Sequence, residues 1–420
     1  MSAPERKGWC PGALRPMETG DGFLVRLRIL NCALSLSLAQ EIAALSERFG
    51  NGLIDLSARA NLQLRGVRQD DLGALLARLG DLGLIDADPA VESVRNVTPS
   101  PLAGFDTSAA LDARPIVARL EQRLTEEKAL HALPSKFGFL VDGGGLLPLS
   151  GIAADVEFHA FAAPAGPRLA VRLGGVTAGA ISPDDAPDVA SAVAHAFLAL
   201  RGEERRIAAL VRRVGLTAVA RRAGLNGECD AFRLPAPVGR GDMLGVRALG
   251  GKAFVGAALP FGQMRAEQLA AMAERAKAYG ATEFRLTPWR ALLAPGVDAA
   301  SAAALAEDLA AIGFLLDGAD PRLALAACVG RPACPSAAAD VRATALALAP
   351  FLANYRGTLH VSGCAKGCAH PAPANLSFVA TPRGYDLIEN DLARGEPSRR
   401  DLNFQEMAAC LQALGKGAAA

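Results

Sequence analysis

Four cysteines in the last quarter of the chain have the type and spacing to hold a metal centre. Cys328 and Cys334 stand in Cys-Val-Gly-Arg-Pro-Ala-Cys, and Cys364 and Cys368 in Cys-Ala-Lys-Gly-Cys. Each pair fixes two corners, and a fold that brings the pairs together encloses one centre with four thiolates. Iron–sulfur clusters and structural zinc both use such sets. Zinc knuckles space their cysteines by about two to four residues, and the five-residue gap after Cys328 is wider than that. The pattern favours a 4Fe–4S cluster over zinc, and over four unrelated buried thiols. Cys10, Cys32, Cys229 and Cys410 lack partner spacing and read as free thiols.

The elements that must position these residues belong to a chain of 420 residues, 51% hydrophobic, with a formal net charge of +1. That length can bury several cores, about two to four domains. The near-zero charge argues against a nucleic-acid binder. No apolar run is long enough to span a membrane, and Met1 to Pro16 has no apolar signal region. Reduced thiols and a cytoplasmic location are the expectation. No G-x-G-x-x-G occurs, so a nicotinamide site is not expected and electrons should come from a separate donor protein. Gly143-Gly144-Gly145 reads as a turn, since no Lys-Ser/Thr helix start follows it.

One pattern occurs twice. A strand (Phe23 to Ile29), a helix (about Leu38 to Phe49), Gly50 and a strand from Leu53 through Arg59 form the first copy. Phe254 to Leu259, a helix from about Arg265 to Tyr279, Gly280 and Glu283 to Arg290 form the second. Gly50 aligns with Gly280, and Leu56-Ser57 with Leu286-Thr287. A second pair of segments follows, Phe137 to Gly144 and Leu359 to Cys364, each a strand running into a small-residue turn. Helices Asp185 to Leu200 and Ser336 to Phe351 would cover the sheets that follow, and Pro235 to Gly241 links the halves. The expected fold is α+β, with two halves related by a pseudo-two-fold and a cleft between them. The expected divisions are 1–85, 86–235, 242–318 and 319–420.

The cysteine pattern and the duplication together resemble the sulfite and nitrite reductase family. Ser57-Ala58-Arg59-Ala60-Asn61-Leu62-Gln63 is similar to that family's Thr-x-Arg-x-x-x-Gln, Arg95-Asn96-Val97 to its Arg-Asn-Val, and Leu133-Pro134-Ser135-Lys136-Phe137 to its Leu-Pro-x-Lys-Phe. The resemblance implies that each half is a ferredoxin-like half-domain plus an α/β sheet domain. It also implies a 4Fe–4S cluster on Cys328, Cys334, Cys364 and Cys368 beside a tetrapyrrole sunk between the halves. Gly8-Trp9-Cys10-Pro11, Met17 to Gly22 and Arg285 to Arg290 are similar to an oxygen-dependent monooxygenase branch of the family. That branch implies precorrin-3A and O2 as substrates, hydroxylation of the macrocycle and closure of a ring A acetate lactone, a step of cobalamin synthesis. It also implies a non-haem iron whose ligands the sequence does not disclose; His370, two residues beyond Cys368, is a candidate, with an ordinary hydrogen-bonded histidine as the favoured alternative. The reductases carry a second lysine two residues after the one matched by Lys136; Gly138 stands there, which speaks against sulfite reduction. A sirohaem-dependent sulfite or nitrite reductase is the alternative reading. A non-catalytic zinc or tetrapyrrole-binding protein is the third.

A macrocycle with many carboxylates needs fixed cations, and arginine supplies bidentate geometry and permanent charge. Arg59, Arg95 and Lys136, in matched motifs, are expected in the catalytic and substrate-binding pocket, with Asn61 and Gln63 able to hydrogen-bond carboxylates or oxygen. Arg65 joins them if one strand continues from Arg59 and alternation holds. Arg285 and Arg290 are the second-half candidates. Cys334-Pro335-Ser336 is expected to open a helix whose N–H groups face the cluster, with Gly363 and Gly367 tightening the other cysteine loop.

Overall fold

In the strand Gly22–Leu27, Leu24, Val25 and Leu27 are buried while Arg26 is half-buried, so the strand sets its core face by alternation. The helix Leu36–Phe49 buries Ala39, Ile42, Ala43, Leu45 and Phe49 along one stripe, and the Ser35 hydroxyl accepts from the Leu38 N–H to cap it. These elements are part of a computed structural model that describes residues 10–86, 88–225, 229, 231–352, 355 and 357–417. Gly8 and Trp9 of the N-terminal motif lie outside the described residues.

Among the described residues the strands form four five-stranded sheets, in two pairs of matching topology. The first sheet runs Met17–Thr19, Gly22–Leu27, Leu62–Val67, Leu53–Leu56 and finally Gln263–Arg265. The second runs Gly245–Leu249, Lys252–Ala258, Ala291–Val297, Glu283–Leu286 and finally Ala33–Ser35. Each ferredoxin-like copy thus lends one edge strand to the other's sheet. Gln263 pairs with Asp55, and Ser35 with Glu283. The helices Leu36–Phe49 and Ala266–Ala278 pack together, and one apolar core spans both copies. The stretches 1–85 and 242–318 therefore fold around a shared interior.

The other two sheets repeat each other strand for strand. Val97–Pro99, Phe139–Asp142 and Val156–Phe161 are parallel, followed by antiparallel Arg168–Leu173 and Val176–Ile181. Leu325–Ala327, Leu359–Ser362 and Ala374–Ala380 are parallel, followed by antiparallel Tyr385–Asp391 and Arg399–Leu402. Arg114–Glu126 and Ala186–Leu200 join the core of the first of these sheets; Val341–Leu348 packs on the second. No helix among the described residues is long and apolar enough to cross a membrane.

Two local expectations are corrected. The strand expected through Arg59 ends at Leu56, and residues 57–60 make a turn before Leu62–Val67. Ser57 Oγ accepts from the N–H groups of Arg59 and Asn61, and Ala60 takes a positive φ of 53°. The second copy turns identically: Thr287 Oγ1 accepts from Ala291 N, and Arg290 has φ 60°. A short hydroxyl that can satisfy turn N–H groups favours the turn over the extended strand. The helix expected from Ser336 begins only at Val341, where Asp340 accepts from the Ala343 N–H. Ser336 has no such partner, so the Cys334 region is turn and loop.

A buried ionic network ties these units together. Asp55 accepts from Arg65 Nη1 at 3.2 Å, Gln263 Nε2 at 3.1 Å and Arg342 Nη1 at 3.0 Å. Arg65 also grips Asp21 through Nε at 3.1 Å and Nη2 at 2.9 Å. The neighbouring Gly20 N–H reaches the carbonyl of Ala333, beside Cys334, at 2.8 Å. Removing one partner of such a set leaves buried charge uncompensated, at a cost of about 3–5 kcal/mol. Asp55→Ala should lose stability on that scale in urea unfolding followed by circular dichroism, and Asp55→Asn should lose less. An Asp55→Ala protein as stable as the native one would show that the network does not hold the units together.

Candidate active site and metal centre

Cys328 follows directly, and Cys364 after Gly363, on two paired parallel strands, Leu325–Ala327 and Leu359–Ser362, which register Ala327 with Val361. Loops at the C-terminal ends of parallel strands are where open α/β sheets bind ligands. All eight cysteines are free. The Gly363 N–H donates to Cys328 Sγ at 3.2 Å. A Cβ at Gly363 would stand 2.6 Å from that of Ala337 and 3.4 Å from Cys328 Sγ, so only glycine lets this backbone close on the sulfur. Burial pushes the Cys328 thiol up, the Gly363 and Gly330 N–H groups pull it down, and Cys334 and Cys364 push it up again. Burial likewise raises Cys368, against the pull of Lys366, and its three partner cysteines add to the rise. The four thiols are thus electrostatic neighbours. Among the described residues no three His, Cys, Asp or Glu side chains gather round a single ion. Four thiols on two adjoining loops are a donor set that fits an iron–sulfur cluster.

One more group belongs to this centre. His360 is fully buried on the strand that leads to Cys364, with Nδ1 3.4 Å from Ser377 Oγ. Its Nε2 has no partner among the described residues. His370, the iron-ligand candidate, has its ring centroid 6.0 Å from that of His360, and its Nε2 contacts the Pro373 carbonyl at 3.2 Å.

A separate shallow groove, with a cavity volume of about 60 Å³, gathers Arg59, Asn61, Arg95 and Lys136 together with Asn96 and Arg206. The turn at 57–60 is what aims Arg59, whose Nη2 donates to the Lys136 carbonyl at 3.1 Å. Asn96 Nδ2 donates to the carbonyls of Ser93, Ser135 and Phe137, and so fixes the Lys136 loop from behind. Arg95 pairs with Asp86 at 2.7 Å, and its Nε lacks a partner. At Gly138 the backbone N–H donates to Asp155 Oδ2 at 3.0 Å, and Asp155 pairs with Arg206 at 3.0 Å. Burial lowers Arg59 from the usual guanidinium range, and Arg206 adds repulsion.

The remaining expected positions are placed differently. Gln63 stands behind Asn61 opposite Arg26; with its amide turned to accept, its oxygen takes Arg26 Nε at 3.0 Å and Nη2 at 2.8 Å. Arg65 is only 2% exposed and spends its guanidinium on Asp21 and Asp55, because the turn breaks the alternation that would have set it beside Arg59. Arg285, also 2% exposed, is held by Glu283 at 2.6 Å and lies 5.2 Å over the Phe105 ring. Arg65 and Arg285 thus serve the scaffold. Arg290 donates to the Phe261 carbonyl at 3.2 Å and neighbours Arg342 and Arg240, a second group of cations on the other half.

Several cations in or behind the groove escaped the sequence reading. Arg26 and Arg28 alternate with buried Val25, Leu27 and Ile29, a signal that period-two reading could have caught. Burial pulls Arg28 down to about 10, with Glu92 opposing and Arg26 adding to the fall. Cys10 hydrogen-bonds Arg26 and lies near Arg59. Arg206 sits in a charged run that reads as solvated surface, and nothing local marks it.

This twice-built fold, with its cysteine-ended strands and cation-lined groove, matches known proteins over nearly its whole length. Residues 15–82 and 246–312 match the nitrite/sulfite reductase ferredoxin-like half domain, and residues 90–227 the nitrite and sulphite reductase 4Fe-4S domain. The chain belongs to the nitrite and sulfite reductase family, a family of iron–sulfur oxidoreductases. Within it the chain is 35% identical to a precorrin-3B synthase of Sinorhizobium sp, over 94% of this chain and 85% of that one. It is 25% identical to a ferredoxin–nitrite reductase of Synechococcus elongatus, over 89% and 79%. The solved structure of the Mycobacterium tuberculosis NirA protein shares the fold, with a TM-score of 0.75 at 22% identity over 93% of this chain and 79% of that one. The match to 90–227 falls on the sheet without the four paired cysteines; its twin from Leu325 onward carries them.

Glu121 lies behind Arg95 and is 9% exposed, with Oε2 unpartnered. Burial pushes its carboxyl up to about 7, Arg95 and Arg28 pull it down, and Asp86 pushes it up. Its value exceeds the 4.5 of a free glutamate. The protonated acid therefore stabilises the fold fully below that point, and the contribution is lost as pH rises through about 7. Glu121→Gln should be more stable than the native protein at pH 8, by about 1–3 kcal/mol, with the gap closing towards pH 4 in urea unfolding. A gap that is independent of pH would remove Glu121 as a buried titrating acid.

Proposed function

We propose that this chain is a precorrin-3B synthase: an O2-dependent monooxygenase that hydroxylates precorrin-3A and closes a lactone from its ring A acetate. The observation that carries the reading is the groove, where Arg59, Arg95, Lys136 and Arg206 line one solvent-open surface with Arg26 and Arg28 close by. Asp86 and Asp155 balance Arg95 and Arg206, while Arg59 and Lys136 keep positive charge on the groove, and a macrocycle bearing several carboxylates is a ligand that matches it. The similarity to the Sinorhizobium synthase supports the same substrate. At Gly138 a backbone N–H bound to Asp155 takes the place of the reductases' second lysine, which disfavours sulfite.

In this reading Arg59, Arg95 and Lys136 pair with substrate carboxylates. Asn61 offers its amide from the same turn, and Asn96 holds the Lys136 loop in register. Cys328, Cys334, Cys364 and Cys368 would hold a 4Fe–4S cluster, which supplies single-electron transfer when bound. A non-haem iron is part of the proposal, as is a separate ferredoxin-like or reductase donor. The Asp21–Arg65–Asp55 network and the Gly20 contact keep the cysteine loop docked against the ferredoxin-like sheet.

Protein purified without oxygen should show broad iron–sulfur absorption with matching iron and acid-labile sulfide, and should add one oxygen atom to precorrin-3A by mass spectrometry. Sirohaem bands would return the chain to the reductases. Cys328→Ser should lose both the absorption and turnover. Arg59→Ala should weaken macrocycle binding by about 10–100-fold, the worth of one charge-assisted pair; unchanged affinity would take Arg59 out of the pocket.

A further inference from the structure

We propose that His360 is a hydrogen-bond donor to the sulfur of the cluster held by Cys328, Cys334, Cys364 and Cys368, and that it sets the cluster's reduction potential. The inference rests on the reading that these cysteines hold a cluster.

His360 faces directly across to Ser377 on the neighbouring parallel strand, and both side chains are fully buried. Gly367, inside the Cys364–Cys368 loop, closes over the ring: a Cβ there would lie 3.6 Å from His360 Cε1. One ring nitrogen therefore meets Ser377, and the other, Nε2, lies on the loop side of the ring without a partner among the described residues. An unmet buried polar atom costs about 1–3 kcal/mol, so a site that keeps one implies a partner that binds there.

Burial favours the neutral ring, which carries a single N–H. Two tautomers are available. If Nδ1 carried the proton and donated to Ser377, Nε2 would turn a lone pair on thiolates and sulfides that are acceptors themselves. If the Ser377 hydroxyl donates to Nδ1, Nε2 carries the proton and finds an acceptor in the cluster sulfur. Only the second arrangement satisfies every group. A donor at sulfur stabilises the more negative, reduced cluster and raises its potential. The electron enters the cluster without bond change, and no proton leaves His360.

The test is an EPR-monitored redox titration of anaerobically purified full-length protein, with iron and sulfide assayed on each sample. His360→Leu should keep its iron and sulfide while its midpoint moves to lower potential. His360→Gln, which restores an N–H, should recover part of the shift, and Ser377→Ala should move the same way as His360→Leu but less. Loss of the cluster in His360→Leu with retention in His360→Gln would also support the donor role. A fully loaded His360→Leu protein with the native midpoint would overturn it, as would a His360→Gln protein indistinguishable from His360→Leu. A native protein without iron or sulfide would instead sink the underlying cluster reading.

Discussion

Asp55 is where the separate parts of this molecule meet. One carboxylate accepts from Arg65 in its own half, from Gln263 on the strand lent by the other half, and from Arg342 on the helix beyond the cysteine loop. Arg65 passes the connection to Asp21, next to the Gly20 N–H that docks on Ala333. Buried charges have little tolerance for displacement, because moving any one of them strands the others in a low-dielectric interior. The relative placement of groove and cysteine loop follows from that constraint.

The same architecture built twice has been used for different ends. In the first half the turn at 57–60 points Arg59 into an open groove, with Arg26 and Gln63 paired behind it. In the second half the matching turn carries Trp289 where Arg59 would be. The matching strand pair sets Gly256 opposite Leu293, and Met243 and Leu244 fill the face. A side chain at Gly256 would collide with the Met243 carbonyl. One copy therefore leaves an open, cation-lined face, and the other fills the same face with packed side chains. The sheet domains divide the work in the opposite sense. Asp142 at the end of its strand accepts from Ser100, Gly144, Leu149 and His159, an internal polar plug, while the twin strand ends in the cysteine loop.

Much of the fold was legible because its signals are local. Helical stripes, closing glycines and period-two strands gave both copies to within a few residues, as the helices Leu36–Phe49 and Ala266–Ala278 illustrate. Reading failed where a side chain competes with the regular backbone. Ser57 bends the chain under Arg59, and Asp340 in place of Ser336 starts the helix after the cysteines. Both are hydroxyl or carboxylate decisions about which N–H to satisfy, and two elements of similar propensity can be separated by a single such bond.

By itself the sequence determined the duplication, the paired spacing of the four C-terminal cysteines and the cations at Arg59, Arg95 and Lys136, since residue type and spacing along the chain carry that information. Only tertiary structure decided which arginines were free. Arg65 and Arg285 look like their neighbours in sequence, yet buried carboxylates from distant segments or the adjacent Glu283 neutralise them. Arg206, in a run that reads as surface, is brought to the groove by Asp155 from 51 residues away. The strand exchange and the unpartnered Nε2 of His360 were equally invisible, because both depend on what lies across a sheet or beneath a loop. An ionic or hydrogen-bonding partner far along the chain leaves no trace in local pattern, and it is that partner which separates a residue of the scaffold from one open to ligand.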